Sequence, residues 1–291
     1  MALSSWRYQR GEWRTESLDV ASVDATRGNA ASLDGAGSHE PVLYTTLRTA
    51  GGKPLLAAAH QARLETSCAA LQWPFPPAAA DWQQLVSTEA EQSGGEIRAR
   101  VSLWLNKNEL QGLLECEPLQ LPAQIRLWTA PVGSARPKAA LKLRDPVLRD
   151  WEAQAANYGA QEAILRRGDG VITETTRSNL LWSDAAGRIC YSAGPALPGV
   201  MLGWALAELR ASGREIIATE SSLQELSSAT ELFVTSAVKG PMTAVIVAGD
   251  TVSGEPPRIP AAAPGPVGKY LVQRYARLLA RTAAGESICT P

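Results

Sequence analysis

Two residues near the middle of the chain could do chemistry together: Lys142 and, a few tens of residues later, Glu174. The chain has six lysines against twenty-two arginines, so lysine is the scarcer choice wherever a cation is wanted. Lysine can lose its proton near neutral pH and condense with an aldehyde, which arginine cannot do. A glutamate at a strand end could hold a pyridinium nitrogen protonated and make such a ring an electron sink. On these two residues alone the ordinary reading is a solvated lysine at a helix start and a loop carboxylate, because most charged side chains serve the surface.

The surrounding sequence supplies the elements that would position them. After Lys142, the helical spacing of Val147, Leu148, Trp151 and Ala155 runs to a stop at Gly159. A short strand, Glu162 to Leu165, turns through Gly168-Asp169-Gly170 into a second, Val171 to Thr173, which ends at Glu174. The polar loop Thr175 to Ser178 leads into a third strand, Asn179 to Trp182. Upstream, Trp6 to Trp13 reads as two short strands turning at Gly11, and residues 21 to 40 read as a loop. Its GAGSHE lacks the lysine and the strand–helix order of a phosphate loop.

Val42 to Arg48 is β-branched and aromatic enough for a strand, and Leu55 to Leu71 is an amphipathic helix carrying His60 and Arg63. By themselves, His60 reads as a hydrogen-bonded packing residue and Arg63 as a solvated arginine. A helix from Asp81 to about Gln92 and a hairpin, Arg98 to Trp104 with Gly112 to Cys116, follow. Another strand, Ile125 to Trp128, lies in a proline-rich stretch. Downstream come a strand at Ile189 to Tyr191 and the loop Ala196 to Met201, which runs straight into a helix, Met201 to Ala211. A Pro-Gly turn feeding a helix start leaves N–H groups free for a phosphate. Strands Glu215 to Thr219, Glu231 to Ser236 and Ala244 to Ala248, a short helix Leu223 to Leu226, and a C-terminal helix Val267 to Arg281 complete the pattern.

Composition narrows the function classes. A chain of 291 residues suggests two domains, read as 1–127 and 128–291 with an interdomain loop at about 128–138. Hydrophobic residues at 45%, charged residues at 20% and a net charge of −1 describe a globular protein without the basic patch that nucleic acid requires. No apolar run is long enough to span a membrane, and the N-terminus has no apolar signal core, so a cytoplasmic location is expected. Cys68, Cys116, Cys190 and Cys289 lie far apart, and His39 and His60 are the only histidines, so no metal site is expected.

The ordered motifs resemble the fold-type IV pyridoxal-phosphate enzymes: branched-chain and D-amino-acid aminotransferases and aminodeoxychorismate lyase. WRYQRGEW is similar to that family's opening hairpin, VLYTTLR to its strand before the first helix, and HQARL to its HxxRL. GDGVITETTRSNLLW resembles the hairpin that ends in Glu, ALPGVM the loop ahead of the phosphate-binding helix, and ELFVTSA the strand ending in small phosphate-binding residues. The resemblance implies an α/β (α+β) two-domain fold of the aminotransferase-like kind, with pyridoxal 5′-phosphate buried between the domains of a homodimer. It implies that Lys142 is the Schiff-base lysine and proton carrier, with Lys138 a poor substitute. It further implies that Glu174 pairs with the pyridine nitrogen and that Arg63 clamps the phosphate. Val200, Met201, Ser236 and Ala237 would complete the phosphate cup. The chain departs from the pattern at Pro146, where Tyr or Arg is usual, and in the N-terminal loop, which lacks the Asp-Arg-Gly stretch.

Within the family, aminotransferases usually carry Glu at the position of Thr45, whereas Tyr44-Thr45-Thr46 resembles the lyase's F-T-T. A neutral hydroxyl at Thr45 would steer a leaving enolpyruvyl group without repelling substrate carboxylates; an ordinary strand threonine is the plainer alternative. The expectation is therefore a lyase that forms 4-aminobenzoate and pyruvate from 4-amino-4-deoxychorismate, with Lys142 and Thr45 catalytic. The alternatives are a branched-chain or D-amino-acid aminotransferase using 2-oxoglutarate, and a non-enzymatic binding protein on the same fold. Arg48, Arg144 and Lys239 are candidates for holding substrate carboxylates.

Overall fold

The structure, a computed structural model, describes residues 4–16, 41–249, 264–286 and 288. The loop read at 21–40 with its GAGSHE, His39 and Cys289 lie outside the described residues. The chain divides into two compact units: Met1–Gln120 with Leu141–Arg144 and Leu279–Thr290, and Leu121–Ala140 with Asp145–Leu278.

The first unit is built on a six-stranded antiparallel sheet. Its strands are Ser4–Gln9 (β1), Glu12–Glu16 (β2), Leu43–Ala50 (β3), Lys53–Pro54 (β4), Ile97–Asn106 (β5) and Glu109–Pro118 (β6), in the order β2-β1-β6-β5-β3-β4. Helices Ala57–Ala70 (α1) and Trp82–Ser93 (α2) belong to this unit. Its core gathers Leu43 and Leu47 of β3, Val101 and Leu103 of β5, Leu114 of β6, Leu64 and Cys68 of α1, and Trp82 and Val86 of α2. Period-two alternation selects the strand residues, and the i, i+4 spacing of His60, Leu64 and Cys68 selects the buried face of α1.

Residues 141–144 extend this sheet beyond the sequence expectation, which starts a helix near Lys142. The stretch docks on β3 through an isolated bridge: Leu143 pairs antiparallel with Leu43, Tyr44 N–H donates to the Lys142 carbonyl at 2.9 Å, Arg144 N–H donates to the Val42 carbonyl at 2.8 Å, and Leu143 N–H turns back to the Leu141 carbonyl at 3.0 Å across Lys142. The helix begins four residues after Lys142, for a local reason. Asp145 caps it by accepting from Val147 N–H at 3.0 Å, and Pro146 takes the first position, where a missing N–H costs nothing.

The second unit contains Ile125–Val132 (β7), helix Pro146–Asn157 (α3), Glu162–Arg166 (β8), Ile172–Thr175 (β9), Asn179–Ser183 (β10) and Ile189–Ser192 (β11). Helix Val200–Ala211 (α4), Ile216–Thr219 (β12), the one-turn helix Leu223–Leu226 (α5), Glu231–Ser236 (β13) and Gly240–Gly249 (β14) follow, and helix Pro266–Ala284 (α6) is the last element, counted in this unit as far as Leu278. Eight strands form one mixed sheet in the order β12-β11-β10-β13-β14-β7-β8-β9, with parallel pairs at β11·β12, β14·β7 and β7·β8. Two parallel strands cannot be joined by a tight turn, so the β7-to-β8 connection is long and carries α3. Gly159, at φ +67°, ends that connection's helix, as its sequence position suggests. Among the described residues, no helix is long and apolar enough to cross a membrane.

Candidate active site

In the first unit, β3 and α1 hold a buried polar triangle. Thr45 is fully buried, with its hydroxyl 2.6 Å from His60 Nδ1 and accepting from Arg63 Nη2 at 2.6 Å. Because the hydroxyl oxygen receives the arginine, its own proton is available to His60 Nδ1, which places the imidazole proton on Nε2. Burial, then the charges of Arg63 and Lys142, push the His60 pKa well below its usual value, so the ring is neutral. Burial also lowers Arg63 to about 10, still charged at neutral pH, and its Nε has no acceptor. Among the described residues Arg63 makes no ion pair; its side chain meets Thr45 and His60.

Lys142 lies against the adjacent residue. Its Nζ is 5.1 Å from the centre of the Tyr44 ring, and Arg100 of β5 stacks on the same ring at 5.5 Å. The structure therefore brings Lys142 to Tyr44, whose role the sequence reading passed over, while the Thr45 hydroxyl is taken up by α1. Lys138 is exposed, in the left-handed region at φ +52°.

In the second unit, Glu174 sits at the end of β9, buried. Its Oε2 accepts from Leu197 N–H at 3.2 Å, and its Oε1 lies 3.1 Å from Arg136 Nε in a buried ion pair. That contact is close but not aligned as a hydrogen bond, and Arg136 Nε and Nη1 have no acceptor. Arg136 is a site residue that sequence reasoning missed, because nothing in ARPK distinguishes a buried arginine from a surface one. The Leu197 carbonyl accepts from Asn179 Nδ2 at 2.8 Å, so the ends of β9 and β10 together fix the loop before α4.

That loop delivers Gly199 as the N-cap of α4, with no side-chain cap, and the first intrahelical bond is Gly203 N–H to the Gly199 carbonyl. The N–H groups of Val200 and Met201 precede it, at the positive end of the helix dipole. Any side chain at 199 would drive its Cβ into Asn179 Oδ1, which is held in place by the bond from Asn179 Nδ2 to the Leu197 carbonyl, so glycine suits this close approach. At the end of β13, Ser236 Oγ accepts from Lys239 N–H at 3.1 Å, shaping the turn that contains Ala237.

The Lys239 side chain turns inward. It forms an ion pair with Glu162 of β8, which is 1% exposed and also receives Thr175 Oγ1 at 2.5 Å and Ser178 Oγ at 3.2 Å. Burial opposes ionisation of Glu162, but Lys239 and the two hydroxyls outweigh it and lower its pKa. Lys239 is thus a structural cation. Arg48 is likewise engaged, by the Thr49 carbonyl at 3.2 Å and by Glu96 at 3.8 Å. Among the described residues no group of His, Cys, Asp and Glu is arranged to hold a metal ion.

A pyridoxal-type cofactor asks for a primary amine, an acidic partner for its ring nitrogen and donors for a dianionic phosphate. Taken unit by unit, the first offers an amine in Lys142 and a donor in Arg63 with its unaccepted Nε, and the second offers a buried carboxylate in Glu174 and free N–H groups at the uncapped start of α4.

Among solved structures, a protein from Legionella pneumophila provisionally described as 4-amino-4-deoxychorismate lyase aligns with a TM-score of 0.68 and 19% identity, covering 81% of this chain and 91% of its own. A protein from Thermotoga maritima provisionally described as a branched-chain amino acid aminotransferase aligns at 0.71 and 20% identity, covering 95% and 96%. A Brucella abortus aminotransferase bound to PLP aligns at 0.72 and 18% identity, covering 95% and 99%. At such identities these likenesses speak for the fold alone. No functionally curated protein matches the sequence significantly. The sequence profile of amino-transferase class IV matches residues 42–245, a span that starts just before β3 and takes in Arg63, Lys142, Glu174 and the loop ahead of α4, and by that match the chain belongs to the class IV aminotransferase family.

Proposed function

We propose that the protein is a pyridoxal 5′-phosphate-dependent lyase that converts 4-amino-4-deoxychorismate to 4-aminobenzoate and pyruvate. The observation that carries this choice within the family is the buried Thr45 hydroxyl, a neutral acceptor for Arg63 where a carboxylate would pair with that arginine. When bound, the cofactor supplies an aldehyde for the substrate amine and a ring that takes up electrons.

The chain's own residues do the rest. Lys142 would hold the cofactor through its Nζ and, when free, would take the proton from the amine-bearing carbon of the substrate. Tyr44 gives that ammonium an aromatic face, which holds the side chain in place. Glu174, kept beside Arg136 and Leu197 N–H, is the carboxylate for the ring nitrogen. Arg63 on the first unit, and Val200 and Met201 N–H, Ser236 and Ala237 on the second, would hold the phosphate. As the C–H proton leaves, the C–O bond to the enolpyruvyl group breaks, the six-membered ring of the substrate aromatises, and the departing enol takes up a proton to become pyruvate.

A second reading, amino transfer to an oxo acid, is covered by the family itself. One assay separates them. Cofactor-saturated protein should release pyruvate from 4-amino-4-deoxychorismate with no oxo acid present; turnover only with amino acid plus oxo acid would overturn the lyase. Lys142→Ala should abolish both the visible absorbance of the bound cofactor and its fixation by borohydride, and retention of either removes Lys142 from its role. A homodimer is part of the proposal, to be checked by light scattering.

A further inference from the structure

We propose that Lys239 and Glu162 are positioning residues for the cofactor phosphate: their buried pair holds the turn that carries Ser236 and Ala237. The assignment rests on the second unit binding pyridoxal phosphate through that turn, but not on which reaction follows.

The turn joins β13 to β14 and is short, with Ser236 paired to Gly240 across it. Three contacts fix it. Ser236 Oγ accepts from Lys239 N–H at 3.1 Å, which leaves the hydroxyl its own proton to give. Gly240, at φ +73°, lies so close to the Tyr275 ring of α6 that a Cβ there would collide with it. The third contact is the Lys239 side chain, which reaches Glu162 of β8. In the sheet order β14 and β7 stand between β13 and β8, so strand pairing does not bring these two residues together.

Followed from Glu162, the contacts close a ring. The carboxylate receives Thr175 Oγ1 at 2.5 Å and Ser178 Oγ at 3.2 Å, and Ser178 N–H donates to Thr175 Oγ1 at 2.8 Å. Asn179, the next residue, pairs in register with Thr235 of β13, which leads directly into Ser236. The candidate cofactor groups of this unit are attached to that ring. Glu174 precedes Thr175, Asn179 Nδ2 holds the Leu197 carbonyl ahead of α4, and Ser236 and Ala237 lead into Lys239.

Stability alone is a weak reason for such a pair. Taking two charges out of water offsets much of their attraction, and an apolar pair of similar volume often serves a fold as well. What the ion pair adds is a defined geometry, because each Glu162 oxygen has its own partners: Oε1 meets Lys239 and Ser178, and Oε2 meets Thr175. A phosphate held by a hydroxyl and N–H groups depends on where those donors stand, and a small displacement loses a charge-assisted hydrogen bond.

The test compares fluorescence titrations of the full-length protein with pyridoxal 5′-phosphate and with pyridoxal, which lacks the phosphate. Wild type should prefer the phosphate ester by about a hundredfold or more, as several charge-assisted hydrogen bonds supply. The double variant Glu162→Gln/Lys239→Met removes both charges, so neither is stranded. Its preference should fall by about tenfold or more while its pyridoxal affinity stays within about twofold of wild type. Glu162→Gln alone keeps the shape and an acceptor for Thr175; it should lose part of the preference, and it decides the matter if the double variant no longer binds pyridoxal. An unchanged preference in a variant that binds pyridoxal overturns the assignment. So does an equal loss for both ligands, the result expected of a pair that only supports the fold. A wild type with no preference sinks the cofactor reading of the turn, and the assignment with it.

Discussion

Replacing Thr45 by Val tests the polar triangle at the centre of the first unit. The change keeps the branched shape but removes the oxygen that Arg63 Nη2 and His60 Nδ1 both reach at 2.6 Å. Thr45 is fully buried, so water does not replace it, and the fallback contact between Arg63 and His60, at 3.5 Å, is weak. Leaving a buried polar group unpaired costs about 1–3 kcal/mol, more for a charged one, so losing both contacts should cost roughly 2–5 kcal/mol. Thr45→Ser keeps the oxygen and deletes one methyl group, which should cost about 1 kcal/mol. Urea unfolding followed by the fluorescence of the nine tryptophans reads both changes. If Thr45→Val matches wild type to within ~0.5 kcal/mol, or Thr45→Ser falls as far as Val, the triangle does not hold the unit as argued.

Three further outcomes follow from the same geometry. Lys239→Met strands Glu162 as a buried, unpaired carboxylate and should cost about 3–5 kcal/mol in urea unfolding, with partial recovery on adding Glu162→Gln; equal loss in both proteins would count against the ion pair. Gly199→Ala drives a Cβ into Asn179 Oδ1 and should displace the start of α4, weakening pyridoxal-phosphate binding by roughly tenfold or more in a fluorescence titration. Unchanged affinity would remove that helix end from the phosphate site. His60 has a folded-state pKa below its unfolded value of about 6.5, so the unfolded chain takes up the proton first, and stability present above that pH is lost as the pH falls towards the folded value. Wild type should therefore lose about 1 kcal/mol more than His60→Gln between about pH 7.5 and about pH 5.5.

The local grammar of the sequence carried far into the fold. Gly159 at +67° and Gly213 at +75° stop helices where their positions announce it, and the 162–182 hairpin and third strand lie where the turn Gly168-Asp169-Gly170 places them. Lys142 stood out in the sequence through the scarcity of lysine and its order among the motifs, but its conformation did not. Apolar spacing after it suggested a helix, which starts at Pro146, whereas hydrogen bonds with Val42 and Tyr44, a hundred residues away, tie the turn at Lys142 to the edge of β3. Arg136 and Arg100 were illegible for the same reason, since a buried arginine is defined by partners and not by its neighbours in sequence.

What the sequence determined by itself is the set of elements and the residue types they carry, because periodicity, caps and turns act within a few positions along the chain. Only the tertiary structure decided which side chains meet. Strand register gave Tyr44 to Lys142, while the approach of α1 gave Thr45 to Arg63 and His60, although Tyr44 and Thr45 are adjacent. Alternation sends successive strand residues to different faces, and what waits on each face is set by chain folded from far away.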